Sequence, residues 1–172
     1  MKKAGVVFFL AFFLHLNVQA QSTSEKFAKL SKLLTDEISR EMAGWSDKTF
    51  EPSQGVLIQQ WSSGDIGVKI AVVEYDSPTR AAQVFNEAKS ALKIQEAAAL
   101  RNRGLEIQLL KESLNLGDEG FVWDVRGSDA VEFRKGGLLI SVSIFSPANS
   151  KDVYFSRKFA ALAATALSSS GE

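Results

Sequence analysis

Gly117 to Phe145 reads GDEGFVWDVRGSDAVEFRKGGLLISVSIF, and its apolar–polar alternation between glycine-bearing turns predicts three consecutive β-strands. Gly136-Gly137 suits a two-residue hairpin loop, which sets Phe133 opposite Ile140 and Val131 opposite Val142. With Gly127 to Asp129 as the other turn, Val125 faces Val131 and Trp123 faces Phe133. One face then carries Phe121, Trp123, Val125, Val131, Phe133, Ile140, Val142 and Ile144, and is the expected core. The opposite face receives Asp124, Arg126, Glu132, Arg134, Ser141 and Ser143, with Val122, Leu139 and Phe145 at its margins.

In that register Asp124 lies opposite Glu132, an unfavourable like-charge pairing unless diagonal Arg126 and Arg134 neutralise it. The default reading is a solvated sheet face laced with ion pairs worth about 0–1 kcal/mol each. The functional reading is a ligand platform built from Asp124, Arg126, Glu132, Arg134 and Ser141. Its arginines would hold a small carboxylated or sulfated anion, and its carboxylates would take polar or basic groups. Asp124 and Glu132 also suggest the acid/base pair of a glycan hydrolase. Direct cross-strand neighbours, however, lie only about 5 Å apart at Cβ, whereas working pairs flank a cleft.

Upstream of this stretch, MKKAGVVFFLAFFLHLNVQA has a basic start, an apolar run from Ala4 to Leu14 and small residues at Val18 and Ala20. It predicts a secretory signal peptide cleaved between Ala20 and Gln21. His15, Asn17 and Gln19 interrupt the run, which falls short of the about 20 apolar residues a membrane span needs, so no membrane anchor is expected after cleavage. The chain has no cysteine, which excludes lipid attachment at the cleavage site and any disulfide. The expected product, residues 21–172, is one exported domain, periplasmic or extracellular, stabilised by its core alone. Cleavage removes Lys2 and Lys3 and leaves 18 basic against 20 acidic residues, a charge of about −2. That balance offers nucleic acid no electrostatic footprint.

Along the remaining chain, Phe27, Leu30, Leu34, Ile38 and Met42 recur at the spacing of one helix face, between Ser24 as N-cap and Gly44 as stop, with Trp45 packing back on the core. The chain then turns from Trp45 to Gln54. GVLIQQW and GVKIAVVEY follow as a hairpin around Ser62-Ser63-Gly64-Asp65. Ser77 and Pro78 suit the N-cap and first position of a second helix, whose inward residues are Ala81, Val84, Phe85, Ala88, Leu92 and Ile94, with alanines allowing close approach to a sheet. A strand around Leu105, Ile107 and Leu109 precedes the opening stretch. A last helix, Lys151 to Leu167, turns Phe155, Phe159, Leu162 and Ala166 inward.

The fold class is therefore α+β: an antiparallel sheet of about six strands with three helices packed mainly on one face. Hairpin, Ser-Pro and amphipathic helix occur twice in the same order, from Val56 to Leu92 and from Val131 to Leu167. An internal duplication or the recurrence of a common way to pack a helix on a sheet explains this, and low residue identity favours the second.

The only histidine, His15, leaves with the signal peptide. Hydrolases needing a histidine base, zinc or haem bound through His or Cys, and thiol redox chemistry all lose a necessary group. Neither GxGxxG nor GxxxxGK[ST] is present, and no cofactor is called for. Asn115, Asp118, Glu119 and Asp129 do not match a calcium loop; Asn115 to Gly120 is a turn in which Gly117 takes positive φ and Asp118 bonds its own backbone. Of the three tryptophans, Trp61, at a strand end beside Ser62 and Ser63, is the candidate exposed aromatic.

Gly117-Asp118-Glu119 with the following Phe121-Val122-Trp123, and Phe133-Arg134-Lys135-Gly136 ahead of a strand and a terminal helix, resemble a pattern of small, uncharacterised secreted bacterial proteins. The resemblance spans about fifty residues; Gly137 stands where that pattern usually has Asn. It implies an exported domain and supplies no catalytic residues. The leading expectation is a non-catalytic exported domain binding an envelope or extracellular protein or a small ligand. The alternatives are the glycan hydrolase and a structural or protease-inhibitory domain presenting the Ser62–Asp65 loop.

Overall fold

The expected apolar stripe of the first helix is buried along its whole length. In the computed structural model, which describes residues 24–49, 55–102, 107–110, 114–125, 128–145 and 153–171, α1 (Ser24–Glu41) buries Phe27, Leu30, Leu34 and Ile38, with Met42 just beyond its end. Trp45 folds back onto Phe155 and Phe159, with ring centroids 5.2 and 4.9 Å away. The expected signal segment lies outside the described residues.

The strands are β1 (Ser46–Thr49), β2 (Val56–Ser63), β3 (Ile66–Glu74), β4 (Ile107–Leu110), β5 (Glu119–Val125), β6 (Ser128–Lys135) and β7 (Leu138–Phe145). They form one seven-stranded sheet in the order β1-β2-β3-β7-β6-β5-β4, antiparallel at every pairing. The strand beyond the expected number is β1, an edge strand formed where a turn was expected. The β2–β3 loop is also tighter than expected, because Ser63 pairs with Ile66 and leaves only Gly64 and Asp65 to turn the chain.

α2 (Pro78–Asn102) starts as its sequence dictates: Ser77 Oγ accepts the Arg80 N–H at 3.1 Å, satisfying a donor the first helical turn leaves free. α3 (Val153–Ser170) closes the described chain. α1 and α3 cover one face of the sheet, burying Leu57, Trp61, Ile70, Val131, Phe133 and Val142 with Phe159. α2 covers the β4–β7 part of the other face, where Phe85 packs with Phe121 and Leu139, and Tyr75, Val84, Leu92 and Trp123 pack around them. Buried Ala81 and Ala88 let α2 approach closely. Ile94, expected inward, is 71% exposed; the helix rotates it away from the sheet.

Two of the three helices thus share a face. The two hairpin–helix units keep the same order but send α2 and α3 to opposite faces. A two-fold axis between antiparallel β3 and β7 would put both on one face, so the units share sequence order and not packing.

One expected register is overturned. The β6–β7 pairing is as read, with Phe133 opposite Ile140 and Val131 opposite Val142. Between β5 and β6, however, Val125 pairs with Ser128, Val122 with Val131 and Gly120 with Phe133. Pairing resumes at Ser128, inside the expected turn Gly127 to Asp129, and the odd-numbered shift in register moves the described β5 side chains to the other face. Phe121 and Trp123 therefore leave the α1–α3 core and meet α2, while Val122 enters the main core. Phe121-Val122-Trp123 is an unbroken apolar run because both faces of β5 are covered; the expected alternation presumed only one.

Candidate functional site

Arg134 and Glu132 project from the same face of β6, as expected, with Ser141 beside them on β7. Their roles differ. The Arg134 guanidinium lies 2.8 Å from Asp118 Oδ2 through Nη1 and 3.0 Å from Glu119 Oε1 through Nε, and Nη1 also donates to the Gly136 carbonyl at 3.1 Å. Asp118 returns the connection twice. Its backbone N–H donates to the Arg134 carbonyl at 2.8 Å, and its carboxylate accepts the Gly136 N–H at 2.9 Å. It therefore bonds across the sheet and not to its own turn. Gly117, at φ 59°, completes the clasp: a Cβ there would stand 2.3 Å from the Arg134 carbonyl oxygen. The residues that carry the resemblance, Gly117-Asp118-Glu119 and Arg134 to Gly136, thus lock two adjacent strands together. Arg134 is not a free anion-binding group, since its fork is filled from its own chain.

Glu132 has the opposite surroundings. Ser141 Oγ donates to its Oε1 at 2.9 Å, Phe121 stands directly opposite on β5, and no ion pair to it exists among the described residues. Burial pushes its carboxyl up to about 7 from an ordinary 4.5, against the opposing pull of the hydrogen bond from Ser141. The residue as a whole still keeps partial contact with solvent. Tyr75, just past β3, has its phenol pushed up first by burial, with the Glu132 charge adding to that and Arg80 opposing it. Register puts the two on one face: Tyr75 continues the face of Val73, which pairs with Leu139, two residues from Ser141.

The same face continues past α2 onto β3 and β2. The cross-strand row Phe121, Glu132, Ser141, Ala71, Ile58 runs from under the helix to strands with no described helix above them. Val56, Ile58, Gln60 and Lys69 are partly exposed there, and half-burial pushes the Lys69 ammonium down. Glu132 stands at the corner where the part of this face under α2 gives way to the uncovered strands, and Ala71, next along the row from Ser141, is itself buried.

The other expected site residues do not assemble. Asp124 pairs with Asp129 and points to the α1–α3 face, so it is not beside Glu132 and the hydrolase pair is not formed. Arg126 lies outside the described residues. Trp61 is 1% exposed and packs 5.7 Å from the Phe159 ring; it is core, because β1 pairs alongside β2 and α3 covers it. Trp123 was missed on the Glu132 face, and a correct β5–β6 register would have revealed it; Tyr75 follows from the β3–β7 pairing instead.

No protein-family model matches the chain, and no curated protein matches it either.

Proposed function

We propose that the protein is an exported, non-catalytic domain that binds a small ligand in the corner between α2 and the β2–β3 half of the sheet. Glu132 carries this reading. A carboxyl held in apolar surroundings, with a hydroxyl donor from Ser141 and no ion pair among the described residues, is an expensive arrangement. Perturbed ionisable groups of this kind cluster at functional sites. The exported character rests on the first twenty residues, with their basic start, apolar run and cleavage pattern. The binding character rests on the separation of Asp124 from Glu132 and on the absence of histidine and cysteine after Ala20.

The test is a fragment screen on protein recovered after export, read by amide chemical shifts. Shifts clustering on Glu132, Ser141, Tyr75 and Lys69 support the reading. Shifts clustering on the α1–α3 face, or turnover of a glycan panel that survives Glu132→Gln, overturn it.

A further inference from the structure

An unbroken run of aromatic contacts joins the Trp61 ring, inside the α1–α3 core, to the protein surface. Trp61 lies 5.7 Å from Phe159, Phe159 4.9 Å from Trp45, Trp45 5.2 Å from Phe155 and Phe155 5.7 Å from Tyr154, centroid to centroid. Trp61 is 1% exposed and Tyr154 64%. We infer that this run carries oxidising equivalents outward, so that an electron lost from the Trp61 or Trp45 indole is replaced from the Tyr154 phenol. The path shares no residue with the Glu132 corner.

Packing alone accounts for the inner four rings, since tilted and edge-on contacts are how aromatic side chains fill a core. It does not account for Tyr154, which meets the run at Phe155 and leaves most of its surface in water. Composition points the same way. Beyond Ala20 the chain has no cysteine or histidine, and its single methionine, Met42, is buried. The thiol and thioether groups that absorb oxidants elsewhere are absent or covered, which leaves indoles and phenols as the most readily oxidised groups.

A small radical oxidant such as azidyl takes one electron from an indole and becomes azide. The indole radical cation is refilled by an electron from Tyr154, whose O–H gives its proton to water. One oxidant is reduced, one phenol becomes a phenoxyl radical plus a proton, and the tryptophan is restored. Phe155 and Phe159 are too hard to oxidise to carry the radical and serve as contacts that shorten the gaps. Lys158, with Nζ 5.9 Å from the Tyr154 centroid, disfavours positive charge on that ring and so couples electron loss to proton loss. Tyr75, the only other tyrosine, is worse placed to release a proton, because burial pushes its phenol up. A radical at Tyr154 is within reach of a dissolved one-electron reductant such as ascorbate, whereas one at Trp61 is not.

Pulse radiolysis tests this on the full exported protein. Azidyl radicals oxidise tryptophan ahead of tyrosine, and the decay of indolyl absorbance is followed against the growth of phenoxyl absorbance. The expected growth mirrors the decay at a rate unchanged by dilution, persists in Tyr75→Phe and falls at least tenfold in Tyr154→Phe, which removes one exposed hydroxyl. Trp45→Phe in the Tyr75→Phe background keeps an aromatic ring but removes the stepping stone, and is expected to slow the growth at least tenfold. Indolyl decay without phenoxyl growth, a rate proportional to protein concentration, growth undiminished in Tyr154→Phe, or a rate unaffected by Trp45→Phe would each overturn the path.

Discussion

Arg134 and Glu132 sit two residues apart on one face of one strand, yet the fold treats their charges in opposite ways. Arg134 is 14% exposed and has two carboxylates and a carbonyl around it, so its charge holds the β5–β6 edge in place. Glu132 has the Ser141 hydroxyl and no ion pair among the described residues, and burial favours its neutral form. A compensated charge strengthens a scaffold, whereas an uncompensated one is a standing cost that needs a reason. The contrast separates structural residues from a candidate site within a single β-strand.

The largest expected effect breaks the compensated side. In Gly117→Ala the new Cβ meets the Arg134 carbonyl oxygen at 2.3 Å, in a backbone conformation at φ 59° that side chains rarely adopt. Strain and lost clasp together are expected to cost about 3 kcal/mol, read as a lower urea midpoint. A change below measurement error would mean the clasp does not stabilise the fold.

Arg134→Met follows. It keeps the stem but leaves Asp118 and Glu119 facing each other without their cation. Both carboxylates are partly solvated, with 45% and 36% of their side-chain surfaces exposed, so screening reduces the loss to about 2 kcal/mol. Raised salt is expected to narrow the gap to wild type, because it screens the remaining repulsion. A gap that stays constant up to molar salt would assign the loss to packing.

Glu132→Gln has the opposite sign. The folded chain holds the Glu132 proton up to about 7, whereas the ordinary value is 4.5. Between those values the unfolded state has lost a proton the folded state keeps. Wild-type stability therefore falls as pH rises through this window and levels off above it, by at most about 3 kcal/mol. Glutamine mimics the protonated form, so the variant is expected to be about 2 kcal/mol more stable than wild type at pH 8 and nearly equal to it at pH 4. A variant equally destabilised at both values would remove the uncompensated charge from the account.

How much of this was legible follows from what each residue type reports. The α1 stripe, the α2 start at Ser77-Pro78, the β6–β7 hairpin and the α3 stripe depend on short-range periodicity and turn chemistry, and all are present. The face shared by Glu132, Arg134 and Ser141 came with the β6–β7 hairpin. The β5 parity did not, because an apolar run covered on both faces carries no alternation from which to set register. That single error placed Asp124 beside Glu132 and hid Trp123 and Phe121. The two partners of Arg134 were also illegible, since Asp118 and Glu119 belong to a turn whose own chemistry explained them sufficiently. Trp61 looked exposed only because β1, with the short polar sequence SDKT, has no strand signal.

The smallest effect tests the finest part of the contrast, the hydrogen bond from Ser141 Oγ to Glu132 Oε1 at 2.9 Å. A hydroxyl donor helps the ionised carboxyl more than the neutral one, and it opposes the upward push of burial. In Ser141→Ala that help is gone, so the Glu132 titration is expected to move further upward, as read from its side-chain carboxyl resonance. Stability is expected to drop by about 1 kcal/mol at pH 8 and by less at pH 4, where the carboxyl is neutral and needs the donor less. The sign of the difference between the two pH values is the decisive quantity. Equal losses would mean that Ser141 supports Glu132 in both protonation states alike, making it a packing neighbour. A larger loss at pH 8 would establish that the fold keeps a donor on a carboxylate that has no ion pair among the described residues.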